Sequence, residues 1–170
     1  GSGVRATLHD LGSGETRLTL DRQINPVASG SSRMAIHRLS DTIVTTITRD
    51  PGIAATRVLF QFRDHIWQID SDGAGLTRVS SGTGIATSPA WSPGGDRIAY
   101  TEIRDYAGPI ILKSLVSGSR QTVPGTSGQG NSLTPVFSPD GRMLMFARST
   151  DQGTDLARAD LVRMCCVLKL

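Results

Sequence analysis

The sequence has few of the residue types on which most catalytic and metal sites depend. Its 170 residues include three histidines, His9, His37 and His65, and two cysteines, Cys165 and Cys166. The histidines are too widely spaced for a metal-ligand pattern. Adjacent cysteines form a disulfide only with strain, so two separate thiols are favoured. We therefore expect no metal site and no cofactor.

Long apolar runs and clusters of basic residues are also lacking. No run approaches the length that a membrane span needs, so we expect a chain without one. The chain opens with Gly1-Ser2-Gly3 and shows no charged and then apolar leader, which indicates no signal peptide. The net charge of +3 comes from scattered arginines that are not interleaved with aromatic residues. This pattern argues against a nucleic-acid partner.

Motifs for nucleophilic and phosphate chemistry are missing as well. A nucleophile elbow needs Gly-x-Ser-x-Gly, and the nearest stretch, Gly125–Gln129, fails at its last position. Neither glycine-rich phosphate-binding pattern occurs. Asp70–Gly73 hints at a calcium loop, but Ser81 stands where an EF-hand requires glutamate, so a plain β-turn is favoured. We expect no catalytic residue.

What the sequence does contain is a long-period repeat. Ser88–Tyr100 recurs as Thr134–Phe146, with an offset of 46 residues at each aligned position. Each copy holds an aromatic residue, Ser-Pro, a glycine turn and an apolar run, which predicts a β-hairpin. Blades of a β-propeller have about this period. We therefore expect Trp91 and Phe137 to occupy equivalent places in consecutive four-stranded antiparallel sheets.

The repeat divides the chain into two predicted parts. Residues 55–170 are expected to form a partial β-propeller of about two and a half four-stranded blades, since a strand–turn–strand pattern beginning at Ile66 recurs at Leu112. Residues 1–54 are expected to form the end of a small α/β domain. The tail Met164–Leu170 stops following the repeat, which indicates an interrupted blade. The fold class is therefore mainly β.

Within residues 1–54 the sequence predicts a hairpin followed by a helix over 34–48. The helix is indicated by one apolar stripe formed by Ile36, Leu39, Ile43 and Ile47. Ser31 or Ser32 can cap its start, and Pro51 with Gly52 ends it. His37 and Asp41 lie one helical turn apart, where a surface ion pair or a helix-to-propeller hydrogen bond is expected rather than a general base.

The junction between the two parts resembles that of a known family. Ile36–Asp41, followed by Gly52-Ile53 and Thr56–Phe60, is similar to the junction between the small domain and the propeller in the TolB family. The similarity continues in register through Ser88–Pro93 and covers roughly residues 4 to 160. Arg49 departs from it, because glycine usually follows the threonine that ends this helix. Gly94 also replaces an expected aspartate.

The resemblance implies a non-catalytic periplasmic scaffold protein of the Tol–Pal cell-envelope system, peripheral to the envelope. It implies docking of a partner like the peptidoglycan-associated lipoprotein, and of other Tol proteins, at the mouth of the propeller channel. In this family the docking residues precede the aromatic-Ser-Pro-Asp-Gly strand in loops. Here those loops are expected to hold Thr87, Ser88, Asn131 and Thr134. Ordinary loop polarity is the alternative interpretation of these residues.

A second reading of the repeat is an enzyme fragment. The propeller that gates a prolyl-oligopeptidase-type serine peptidase uses the same Ser-Pro-Asp-Gly hairpins. That reading requires a downstream hydrolase domain with a nucleophile elbow. It also gives no reason for the helix over 34–48 ahead of the first blade.

Overall fold

Short strands joined by tight turns make up most of the computed structural model, which describes residues 2–24, 30–128 and 130–170. The chain divides into two compact units. One consists of Gly1–Val58 with Ile69–Leu76, and the other of Leu59–Gln68 with Thr77–Leu170. The domain boundary expected after residue 54 stays a prediction.

The first unit begins with the expected hairpin. Strand β1 (Ser2–His9) pairs antiparallel with β2 (Thr16–Ile24). The turn between them is fixed by Asp10, whose Oδ1 accepts hydrogen bonds from the backbone N–H groups of Gly12 and Ser13 at 2.8 and 3.1 Å. An aspartate that bonds the backbone ahead of it favours a turn over a continuing strand.

Helix α1 (Gly30–Thr48) follows, and it starts four residues before the expected position. Ser31 and Ser32 therefore lie inside the first turn, and the prediction that either one precedes and caps the helix is wrong. The end is as expected. Arg49 has a φ of 67°, the left-handed conformation that commonly closes a helix and that glycine adopts most easily.

The apolar stripe of α1 is only partly buried. Leu39 is buried, whereas Ile36 and Ile47 are 43% and 63% exposed. The helix packs against β2. The helix predicted from this stripe is present, and part of the stripe stays exposed.

Side chains of α1 bond the turn that follows residue 69. Arg33 donates to Asp70 at 2.5 Å and to Asp72 at 2.6 Å, and His37 bonds Asp72 at 2.9 Å. Arg33, the backbone N–H of Ala74 and His37 hold the pKa of Asp72 well below its usual range. Of the two alternatives for His37, the hydrogen bond from the helix to the part after residue 54 is found, with Asp72 as its partner. The ion pair with Asp41 is not, because Asp41 faces the chain after the helix.

The Asp41 carboxylate instead accepts hydrogen bonds from two backbone N–H groups, those of Ala54 at 2.6 Å and Ala55 at 2.8 Å. The Asp70–Gly73 segment is the expected turn, with Gly73 N–H donating to the Asp70 carbonyl at 2.9 Å.

Three further sheets follow along the chain, and we call them the first, second and third sheets. The first is made of β3 (Arg57–Phe62), β4 (His65–Asp70) and β5 (Thr77–Arg78). The second is made of β6 (Ile85–Trp91), β7 (Arg97–Ile103), β9 (Ile110–Ser114) and β10 (Arg120–Thr122). The third is made of β11 (Gly130–Phe137), β12 (Met143–Thr150), β13 (Gly153–Asp160) and β14 (Cys165–Lys169), with β8 (Ala107–Gly108) added in parallel to β11.

The second and third sheets are two copies of one unit. Trp91 pairs with Ile98, and Phe137 pairs with Leu144 at the equivalent place. This confirms the predicted equivalence of Trp91 and Phe137. The sequence-level expectation for the tail is wrong, because β14 pairs antiparallel with β13 and completes the third sheet.

The two cysteines also differ from the expectation of separate thiols. Cys165 is disulfide-bonded.

Two apolar cores lie between the three sheets. Ile98 and Tyr100 of β7 face the first sheet, where they pack with Ile66. Ala99, between them in sequence, faces the third sheet and packs with Phe146. The alternation of side chains along a strand thus gives the middle sheet one apolar face for each neighbour. This face-to-face stacking of antiparallel sheets is the arrangement of a propeller, and with three sheets among the described residues, the first of them three-stranded, the propeller is partial.

Candidate functional site

All four residues expected to bind a partner lie in the strands at one edge of their sheets. Thr87 and Ser88 are in β6, and Asn131 and Thr134 are in β11. The expectation that they occupy loops is wrong, because all four lie within strands. β6 is paired with β7, and β11 is paired with β12. Thr87 pairs with Thr101, and Asn131 pairs with Ser149.

Ser88 and Thr134 each lie at an irregularity in the ladder. The register shifts between Thr87 and Ala90 in β6, and between Leu133 and Val136 in β11. At these bulges Ser88 has a φ of 52° and Thr134 a φ of 50°.

This left-handed conformation is strained for a residue with a side chain, and most of all for a β-branched threonine. Both residues also precede a proline, which disfavours helical backbone angles in the residue before it. The strain is of order 1–3 kcal/mol per residue and persists where the surroundings impose it. The same strained conformation recurs at equivalent positions of two sheets, so it belongs to the repeat itself.

Asn131 is placed against a glycine. Asn131 pairs with Gly108 in the parallel ladder between β11 and β8. A Cβ atom added to Gly108 would lie 2.6 Å from Asn131 Oδ1, so the amide sits where only glycine leaves room. The Oδ1 atom is inaccessible and accepts no hydrogen bond from the described residues. Asn131 therefore holds a buried oxygen without a hydrogen-bond donor beside the bulge.

Hydroxyl groups tie the three sheets together at the level of the site. Thr87 Oγ1 donates to Gln61 Oε1 of β3 at 2.7 Å. Thr101 Oγ1 donates to the backbone carbonyl of Ser132 at 2.6 Å, and this bond is buried. The strands that carry the candidate residues are thus fixed relative to one another.

A buried ion cluster lies directly beside the site and was not found from the sequence. Glu102 pairs with Ala86 in the β6–β7 ladder, and its side chain is 3% exposed. Its Oε2 accepts a hydrogen bond from Arg120, and its Oε1 lies against Arg104 in an ion pair without hydrogen-bond geometry. A Cβ atom on Gly82 would lie 2.6 Å from Oε1, so the loop before β6 closes over the carboxylate.

Chemical groups that could support catalysis or metal binding were sought across the same residues. Residues 2–24, 30–128 and 130–170 contain no group of three or more His, Cys, Asp or Glu side chains placed to hold a metal ion. In that part of the chain no helix has the length and apolar character needed to cross a bilayer.

The strain at Thr134 leads to a prediction. Replacing Thr134 with glycine removes the Cβ atom that the left-handed backbone disfavours, so we expect the free energy of unfolding to rise by about 1 kcal/mol. Urea unfolding followed by circular dichroism measures it. The matched control is Thr122→Gly in β10, an exposed threonine in an ordinary strand, which should lose about 0.5–1 kcal/mol. Equal losses for both variants would show that Thr134 is not strained.

Comparison with family models finds a match to the TolB beta propeller domain over residues 44–163. Among curated proteins, the chain is 32% identical over 139 residues to the Tol-Pal system protein TolB of Methylococcus capsulatus, covering 75% of this chain and 32% of that protein. It is 35% identical over 134 residues to the protein of the same name from Anaeromyxobacter dehalogenans, covering 76% and 30%. The chain thus spans about a third of the length of these relatives.

Solved structures give the same fold. The crystal structure of TolB from Acinetobacter baumannii matches with a TM-score of 0.81 and 27% identity, covering 98% of this chain and 42% of that one. A putative TolB from Agrobacterium tumefaciens matches with a TM-score of 0.53 and 25% identity, covering 62% and 36%.

Proposed function

Because the chain belongs to the TolB β-propeller family, we propose that it is a non-catalytic scaffold of the Tol–Pal cell-envelope system and acts in the periplasm. Its partner is a protein similar to the peptidoglycan-associated lipoprotein, with other Tol proteins as further partners. Thr87, Ser88, Asn131 and Thr134 contact the lipoprotein. The observation that carries this proposal is the recurrence of a strained bulge at Ser88 and Thr134 in two adjacent sheets.

Three features of the site support binding of a protein. Thr134 is exposed, and the partly exposed Asn131 lies three residues before it in the same strand. The hydroxyl bonds of Thr87 and Thr101 fix the strands, so little conformational entropy is lost when a partner docks. Backbone strain concentrates at functional sites, and here it falls on two residues of the candidate set.

The proposal of a non-catalytic role rests on the chemistry of the site. Its candidate residues are three hydroxyl side chains and an amide, and none of them lies beside a general base in the contacts described above. A serine or threonine nucleophile needs such a base within hydrogen-bond reach.

The test is a calorimetric titration of a complete TolB-family polypeptide carrying this segment with the soluble domain of the lipoprotein. The double variant Asn131→Ala, Thr134→Arg removes the Asn131 amide and adds bulk and charge at the proposed contact. We expect its affinity to fall more than tenfold, which is about 1.4 kcal/mol. The control is Thr122→Arg, which adds the same group in β10 and should leave the affinity unchanged.

A second variant tests Asn131 without replacing it. Gly108→Ala places a Cβ atom 2.6 Å from Asn131 Oδ1 and must displace the amide. We expect its affinity to fall in the same direction as that of the double variant. Wild-type affinity in both variants would remove these residues from the site. Peptide hydrolysis by the complete polypeptide would overturn the scaffold function itself.

A further inference from the structure

An excess of positive charge lies between the first and second sheets. Among the described residues, Glu102 is the one carboxylate that forms ion pairs with Arg104 and Arg120. Lys113 pairs with Arg120 in the β9–β10 ladder, so these two cations stand directly opposite each other on one face of the sheet. We call Lys113, Arg104, Arg120 and Glu102 the cationic cluster. Its three positive charges and one negative charge leave a net charge of +2.

The cationic cluster is recessed between the two sheets. Lys113 Nζ donates a hydrogen bond at 2.7 Å to the carbonyl of Val79, the residue that follows β5 of the first sheet. Arg120 Nε donates to the Tyr100 hydroxyl at 3.4 Å, and Tyr100 packs in the core shared with the first sheet. Lys113 is half-buried, and the Arg120 side chain is 33% exposed. A small molecule can therefore reach both cations from solvent.

The two lysines of the sequence differ in their partners. Lys169 pairs with the carboxylate of Asp155 at 2.8 Å. Within the part of the chain that the structure describes, Lys113 forms no ion pair with a carboxylate, and its hydrogen bond goes to the neutral Val79 carbonyl. An ammonium group has three N–H donors, so this bond leaves two of them for another acceptor.

The charges around Lys113 oppose its own charge. Burial lowers the pKa of Lys113, and the positive charges of Arg120 and Arg78 lower it further. Like charges directly opposite on neighbouring strands destabilise a sheet. A charge that is removed from water is costly unless it is paired. An anion that binds beside Lys113 and Arg120 would relieve both costs.

We propose that the cationic cluster binds a phosphate group, which contacts the ammonium of Lys113 and the guanidinium of Arg120. A phosphate group carries about −1.5 to −2 charge at neutral pH, close to the excess that the cluster leaves unneutralised. Its oxygens accept hydrogen bonds from the two remaining N–H groups of Lys113 and from guanidinium N–H groups that Glu102 does not use. The group can belong to inorganic phosphate or to a lipid headgroup. This proposal does not depend on the proposed function.

The first arm of the test is a calorimetric titration of the complete polypeptide with inorganic phosphate, at constant ionic strength so that screening does not change. We expect Lys113→Met to weaken binding at least tenfold, which is about 1.4 kcal/mol. Lys113→Arg keeps the positive charge and should retain binding. The matched control is Lys169→Met, the same substitution at a lysine that has its own carboxylate, and it should bind phosphate as the wild type does.

The second arm offers the phosphate group on a lipid. Phosphatidylcholine vesicles with and without phosphatidic acid are sedimented with the wild type and with Lys113→Met. Binding in either arm that Lys113→Met weakens supports the proposal and identifies the source of the phosphate group. Absence of binding in both arms overturns the proposal. So does a Lys113→Met variant that binds as tightly as the wild type.

Chemical acetylation of the wild-type protein tests the same site without a substitution. Lys113 and Lys169 are acetylated with and without inorganic phosphate or phosphatidic acid vesicles, and mass spectrometry measures the modification of each. The bound phosphate group should slow the modification of Lys113 and leave that of Lys169 unchanged. Equal protection of both lysines, or protection of neither, would mean that phosphate does not bind at the cationic cluster.

Discussion

Replacing Phe146 with alanine is expected to lower the free energy of unfolding by about 3–5 kcal/mol. Phe146 is 1% exposed and lies in the core between the second and third sheets. This core is the apolar contact between the second and third sheets, so the cavity left by the ring removes packing that holds the two sheets together. Domains of this size have a total stability of about 5–15 kcal/mol, so the variant should be partly unfolded at 37 °C.

Urea denaturation followed by tryptophan fluorescence measures this loss, since Trp91 reports on the second sheet. The control is Val116→Ala, an apolar truncation at a residue that is 84% exposed, which should change stability by no more than about 0.5 kcal/mol. A Phe146→Ala variant as stable as the control would mean that the two sheets do not share a common core.

Removing both cations beside Glu102 is expected to lower the free energy of unfolding by about 3 kcal/mol. In the double variant Arg104→Met, Arg120→Met, a carboxylate that is 3% exposed keeps no positive partner. Breaking a buried ion pair from one side is costly because the remaining charge stays desolvated. Arg104 is 48% exposed and screened by solvent, so Arg104→Met alone should cost less than about 1 kcal/mol.

A third substitution separates charge from packing. Adding Glu102→Leu to the double variant removes the isolated carboxylate, and we expect most of the lost stability to return, as apolar groups of similar volume often replace a buried ion pair without loss. Thermal unfolding of the four proteins gives the comparison. If the triple variant stays as unstable as the double variant, the arginines stabilise the second sheet through their aliphatic stems instead of their charge.

The repeat made most of the propeller part predictable. Trp91 and Phe137 were placed correctly because their Ser-Pro turns fix the hairpin locally, through backbone preferences that neighbouring residues set. The last strand was missed for the opposite reason. β14 has no turn signature of its own, and its place follows from pairing with β13, a tertiary interaction. Which side chains of α1 stay exposed likewise depends on the tertiary packing around the helix, and the apolar pattern of the helix does not show that packing.

The site was predictable as a set of residues but not as a geometry. The resemblance pointed to Ser88 and Thr134, yet nothing in the sequence indicated that both have left-handed backbone angles within a strand. Ser-Pro and Thr-Pro are common pairs that ordinarily predict extended backbone. The Glu102 cluster was missed because its partners Arg104 and Arg120 come from different parts of the second sheet. A lone acid two residues after the apolar run that ends at Tyr100 was the one available signal.

The order of strands within the second and third sheets bears on how the chain folds. From β6 to β10 and from β11 to β14, the antiparallel ladders join strands that follow one another closely along the chain. Each pairing closes a short loop, so its entropic cost is low and the contact order of a single sheet is small for a β protein. During synthesis the second sheet can form as soon as its last residue leaves the ribosome, before the third has been translated. We therefore expect folding to advance from the amino to the carboxyl end, with each sheet packing on the one completed before it.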